Sequence, residues 1–288
     1  MRAWSRRFSS FLRPVWVLET APTQVRGAAR AAGHGALLGL ATGLGFSAAF
    51  AAFGWGASRA LGLGAVVAGH GALLGASLGR AAALLVPAWP FTGSVLIAAS
   101  LLALGAAGAA LGRPGALAYL ALPVWLLCLA RQGRLAVVGM RRPEPAAAIL
   151  AGFGLGAALG GHLLISATLS LGYRARPDGL GAYLAALAYD IGANVPSGEL
   201  FFRGALFDHL QRRWSFVAGA ALATAAYLVR YLVDPRLPGT TEAVVGGVVY
   251  LSLLSFGNCW LFWWSGSLVP PLVGALTFFA CYRVLAGG

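Results

Sequence analysis

From residue 31 to residue 58 the chain carries no charged side chain, and comparable runs recur along most of its length. About twenty consecutive apolar residues suffice to cross a hydrocarbon core, where a span must satisfy its own backbone. The runs are long and continuous rather than alternating ten-residue segments, so helices are predicted and a barrel is not. Composition agrees: of 288 residues, 59% are hydrophobic and 10% charged, with a mean hydropathy of +0.78. Soluble domains are about a quarter charged, disordered chains are polar, and the 41 glycines show no collagen period. The predicted fold is all-α, a polytopic transmembrane helix bundle of eight or nine spans.

Residues 1–32 hold six arginines and form a cytoplasmic or interfacial segment, in which Phe8–Leu18 reads as a short helix lying in the interface. No signal peptide is apparent. The spans are placed at 33–58, 60–79, 91–112 (after a turn at Pro87 and Pro90), 114–130, 147–171, 180–196, 215–233, 242–264 and 268–285. A shorter amphipathic helix is expected over 197–213, begun by Pro196 and capped by Ser197. The last two spans meet at Ser265-Gly266-Ser267. The expected organisation is thus a 33–146 four-helix region followed by a core at 147–288.

All 21 basic residues are arginine, against 8 acids, for a net charge of +13. The arginines sit mostly between apolar runs, so they signal topology and meet anionic lipid; nucleic acid is not an expected partner. With the N-terminus in the cytoplasm, thirteen fall on inside segments and six outside, leaving Arg203 and Arg230 within the bilayer. Cys128, Cys259 and Cys281 are scattered, so neither a disulfide framework nor a zinc module is indicated. Gly33-His34-Gly35-Ala36-Leu37-Leu38-Gly39 recurs as Gly69–Gly75 around His70, with a looser echo at Gly161-His162. Glycines allow close helix approach. Without acidic or cysteine companions, the histidines are expected to hydrogen-bond across helix seams rather than bind metal. Trp260, Phe262, Trp263 and Trp264 read as an interfacial belt.

Ionisable groups within a membrane are costly and mark function by default. Four stand out: Asp190, Glu199, Arg203 and Arg230, with Asn194, Tyr227 and Tyr231 as polar neighbours. Glu199 and Arg203 lie four apart and share a helix face. An unpaired Arg230 would cost about 3 kcal/mol, so it is expected to join Glu199 and Arg203 in an ionic cluster, with Asp190 the other acid at that depth.

The string Gly198-Glu199-Leu200-Phe201-Phe202-Arg203-Gly204 resembles the Glu-Glu-x-x-x-Arg-Gly signature of the CAAX protease and bacteriocin-processing family. This family comprises glutamate-dependent intramembrane endopeptidases and includes the type II CAAX prenyl proteases. The segments Leu210–Trp214 and Phe256–Pro270 are similar to the family's in order, and the resemblance covers roughly 147–288. It implies catalytic roles for Glu199 and Arg203 as motif remnants. Gly198, however, stands where the family has its general base. The histidine motifs fall on Tyr227–Tyr231 and Ala275–Phe279, and no histidine follows His209. The resemblance therefore implies a degenerate, non-catalytic member that binds transmembrane helices or peptides as a subunit of a membrane complex, with no cofactor. Its expected partners are membrane lipids and another integral membrane protein. The alternatives are an active endopeptidase using Glu199 and, second, a small-solute transporter. The lysine-free, alanine-, glycine- and arginine-rich composition looks like the codon bias of a GC-rich bacterial genome, and the expected location is a bacterial inner membrane.

Overall fold

The computed structural model describes residue 42 and residues 59–85, 90–140, 146–170, 172–175, 179–232 and 241–286. The expected interfacial segment 1–32 and, apart from Thr42, the expected first span lie outside the described residues. Eight helices follow: α1 (Arg59–Leu85), α2 (Phe91–Leu111), α3 (Ala121–Arg131), α4 (Ala146–Ser170), α5 (residues 180–213), α6 (Phe216–Leu232), α7 (Thr241–Ser265) and α8 (Val269–Tyr282). A 3-10 turn, Pro114–Leu120, leads into α3. The stretches Phe91–Leu111, Pro114–Arg131, Ala146–Ser170 and Val244–Ser265 are long and apolar enough to cross a membrane. Phe216–Leu232 and Val269–Tyr282 are shorter apolar helices.

Polarity is arranged for lipid. Leu96, Leu104, Leu150, Phe153, Ile165, Leu169, Val245 and Val249 point outward, whereas Asp190, Glu199, Arg203 and Asp208 are buried. This is the arrangement a bilayer selects, since water no longer favours a polar exterior.

The centre is α5. Every residue from 192 to 208 is buried, so this stretch of the helix has no outward face and has to stand in the middle of the bundle. An amphipathic helix beginning at Pro196 does not form. Instead one rod runs from 180 to 213, with two widened, π-helical stretches at Asp190–Asn194 and Leu200–Phe207. Proline inside a helix lacks an N–H and crowds the preceding turn, and the widened turn before Pro196 relieves that crowding. Ser197 caps nothing. Its hydroxyl donates back to the carbonyls of Ala193 (2.6 Å) and Asn194 (3.2 Å).

Two layers flank the rod. On one side α4 packs along α8 through Ala148, Gly152, Gly156 and Gly160, a four-residue repeat that forms one buried stripe. A Cβ at Gly152 would fall on the Pro270 carbonyl, and one at Gly156 on the Gly274 carbonyl, so glycine lets these backbones touch. On the other side lie α1, α2 and α3. The sequence places the end of the second span at residue 79, whereas α1 continues to Leu85, and buried Arg80 meets Asp208 of the rod on the way.

The connections sort into two ends. Arg174–Ala175 pairs antiparallel with Leu285–Ala286, joining the region after α4 to the end of α8. At the opposite end Leu268 N–H donates to the Gly139 carbonyl (2.8 Å), which ties the basic 131–140 connection to the α7–α8 turn. In that turn Gly266 takes φ +65, where glycine is unstrained. The aromatic group near it divides its work. Trp260 and Trp264 stack in parallel at 5.4 Å. Phe262 is not part of a belt but a core residue, 6% exposed, lying edge-on against Phe207.

Candidate functional site

Glu199 and Arg203 leave the rod at mid-length and point toward α6, α7 and α8. Both are enclosed, at 1% and 0% exposure. Arg203 Nε lies 3.3 Å from Glu199 Oε2. Glu199 Oε1 accepts a hydrogen bond from Asn258 Nδ2 of α7 (3.2 Å), which also donates to the Pro271 carbonyl at the start of α8 (3.2 Å). The Arg203 guanidinium sits 4.3 Å over the ring of Tyr227 from α6. The buried Cys259 thiol lies beside it. Three helices therefore hold one carboxylate and one guanidinium.

Satisfaction is incomplete. Among the described residues, Arg203 Nε, Nη1 and Nη2 and Glu199 Oε2 make no hydrogen bond, and Asn258 Oδ1 meets no donor. Buried polar atoms are normally hydrogen-bonded, and lipid supplies no partners. Arginine offers five N–H donors in a planar fork, so the free edge of this guanidinium can still take an anion or a carbonyl.

A second polar group lies one turn and more toward the end that carries Arg283. Asp190 is fully buried, and Arg283 grips it through Nε (2.7 Å) and Nη2 (3.0 Å). Asn194 Nδ2 donates to Asp190 Oδ1 (3.0 Å), and Tyr231 O–H donates to Asn194 Oδ1 (3.0 Å). The Tyr231 ring lies 4.7 Å from that of Tyr227, and the Arg230 guanidinium lies 4.7 Å over Tyr231. The structure thus brings Asp190, Asn194, Tyr231, Arg230 and Tyr227 into one chain of contacts.

The single ionic cluster expected from sequence is corrected here. Glu199 is held by Arg203 and Asn258, Asp190 by Arg283, and Arg230 rests on an aromatic face. The reason is geometric: Arg283 ends α8 beside the first widened turn of the rod, so the acid there takes a fork from α8.

The histidines make cross-helix bonds, as their isolated setting suggested. His70 of α1 bonds Ser197 through Nδ1 (2.7 Å) and Tyr189 through Nε2 (2.8 Å). His162 of α4 bonds Tyr250 of α7 through Nδ1 (2.6 Å). His34 lies outside the described residues. Sequence reasoning overlooked Asn258, although an amide within an apolar span is a visible signal. It also overlooked Asp208, whose buried carboxylate takes Arg80 together with Arg212 (2.9 Å) at the rod's other end.

Residues 181–276 match the family model described as Rce1-like, Type II CAAX prenyl endopeptidase Rce1-like. The match covers α5, α6, α7 and half of α8, and is narrower than the 147–288 expected. No curated protein and no solved structure matches the chain.

Proposed function

We propose, with residues 181–276 forming a domain of the Rce1-like type II CAAX prenyl endopeptidase family, that this multi-pass membrane protein is a non-catalytic member. In this reading it holds transmembrane helices or peptides as a subunit of a membrane complex. One observation carries it: Gly198 brings no second carboxylate beside Glu199, whose Oε1 accepts from Asn258 and whose Oε2, 3.3 Å from Arg203 Nε, makes no hydrogen bond among the described residues. General-base hydrolysis needs, beside the acceptor that meets water, a helper that tunes it. The His70 nitrogens are engaged by Ser197 and Tyr189, on the far side of the rod from α7.

The expected result is no turnover of prenylated peptides or of C-terminal-helix substrates by the purified chain. Turnover that disappears in Glu199→Ala would establish the endopeptidase reading in its place. A stoichiometric integral membrane partner retained in mild detergent is the complementary expectation.

We place eight or nine spans in a bacterial inner membrane, with the N-terminus and the 131–146 connection in the cytoplasm. Support comes from the thirteen-to-six arginine bias and from the pairing of the connections into two ends. In a background with the native cysteines replaced, Met140→Cys and Asp178→Cys should be labelled from opposite sides by an impermeant thiol reagent. Labelling of both from the periplasm would overturn the assignment.

A further inference from the structure

Three glycines of the rod are buried: Gly192, Gly198 and Gly204. Two are required by packing. A Cβ at Gly192 would collide with the Tyr119 carbonyl, and one at Gly204 would press on the Val138 carbonyl. Gly198 differs. A Cβ there meets only Tyr227 Cε2, at an ordinary 3.9 Å. The rod therefore carries, at its buried middle, a missing side chain that no neighbouring backbone demands.

The same tyrosine ring is covered by Arg203, 4.3 Å away, whose Nη1 and Nη2 meet no oxygen or nitrogen acceptor among the described residues. Arg203 Nε faces Glu199 Oε2 at 3.3 Å as an ion pair without a hydrogen bond. Its other edge is a two-pronged donor in a dry setting, where charge-assisted bidentate bonds are strongest. Tyr227 thus borders both an open side-chain position and an unspent guanidinium edge.

We propose that Gly198, Arg203 and Tyr227 form a niche for a carboxylate that the chain does not itself supply. The incoming group would take the position left open at residue 198 and bond the Nη edge of Arg203, making a carboxylate–guanidinium–carboxylate row with Glu199. Its source deepens the proposed function and rests on it: the free C-terminal carboxylate of a membrane-embedded peptide. A small carboxylate from solution shares the chemistry.

The test uses the full chain in detergent at fixed pH and ionic strength, with unfolding followed by tryptophan fluorescence. Replacing chloride with formate should raise the apparent Tm by roughly 2–4 °C, in a saturable way. Gly198→Glu, which supplies its own carboxylate, and Gly198→Leu, which fills the position without charge, should each abolish the formate response. No saturable difference between formate and chloride in the unaltered chain would overturn the niche. So would a formate response that persists in both variants. The source is tested separately with an apolar peptide bearing a free C-terminus and the same peptide as its amide. Stronger stabilisation by the acid supports a chain-borne carboxylate. Equal effects, with the formate response intact, would keep the niche and overturn the peptide as its source.

Discussion

Glu199→Ala should cost the folded chain about 3–5 kcal/mol, because it leaves the fully enclosed Arg203 without its counter-charge. The size follows from burial rather than from the strength of the pair. A guanidinium stranded in the middle of the rod can reach neither water nor headgroups, and its ring contact with Tyr227 recovers only a part of that loss. The decisive comparison is the double variant Glu199→Ala, Arg203→Met. Removing both charges also removes the desolvation penalty, so the pair of changes should restore most of what the single change loses. Denaturant titration in mixed micelles measures both. If the double variant is as unstable as the single one, the pair is not an ionic unit.

Asp208→Ala should have a loss of the same order, about 3–5 kcal/mol, since it strands the buried Arg80 and removes an acceptor from Arg212. Arg80→Ala should cost clearly less. Asp208 then keeps Arg212, a third exposed, and the amide of Gln211. Because this bond joins α1 to the end of the rod, the two variants should also differ in local behaviour. Limited proteolysis should release the α1–α3 layer from Asp208→Ala at lower protease concentration than from Arg80→Ala. The reverse order would mean that Arg80, not the acid, anchors the junction.

Much of the architecture was legible because the signals are one-dimensional. Uncharged runs bounded by arginine gave α2, α4, α6, α7 and α8 to within a few residues, and Ser265-Gly266-Ser267 gave the last turn. What failed was any inference that needed to know what stands opposite. Pro196 reads as a helix start when the residue pattern alone is considered. Only a rod enclosed on all sides, with a widened turn to receive the ring, keeps it inside a helix. Phe262 shares its sequence neighbourhood with three tryptophans, yet faces Phe207 while they do not. At the site, the four-residue spacing of Glu199 and Arg203 was sufficient to pair them. The partners of Asp190 and Asp208 were not legible, because Arg283 and Arg80 look in sequence like ordinary flanking charges. Their roles depend on which ends of which helices meet. Gly198 was noticed for the carboxylate it lacks. That it is the buried rod glycine with room beside it is a property of the fold alone.

The long sequence separation of these ion pairs has a consequence in time. Arg80 and Asp208 are 128 residues apart, and Asp190 and Arg283 are 93 apart. At roughly 5–20 residues per second of synthesis, α1 is made about 6–25 s before the acid that receives its arginine. Asp190 similarly precedes its arginine by about 5–20 s. During those intervals each charge belongs to a helix that cannot yet bury it. Arg80 has a way to wait, since it lies near the end of α1 and its long stem reaches the headgroups. Asp190, on a shorter side chain, has less reach. The rod's polar contacts therefore cannot all close before α8 is made, since Arg283 and the Pro271 carbonyl that Asn258 meets both belong to that last segment.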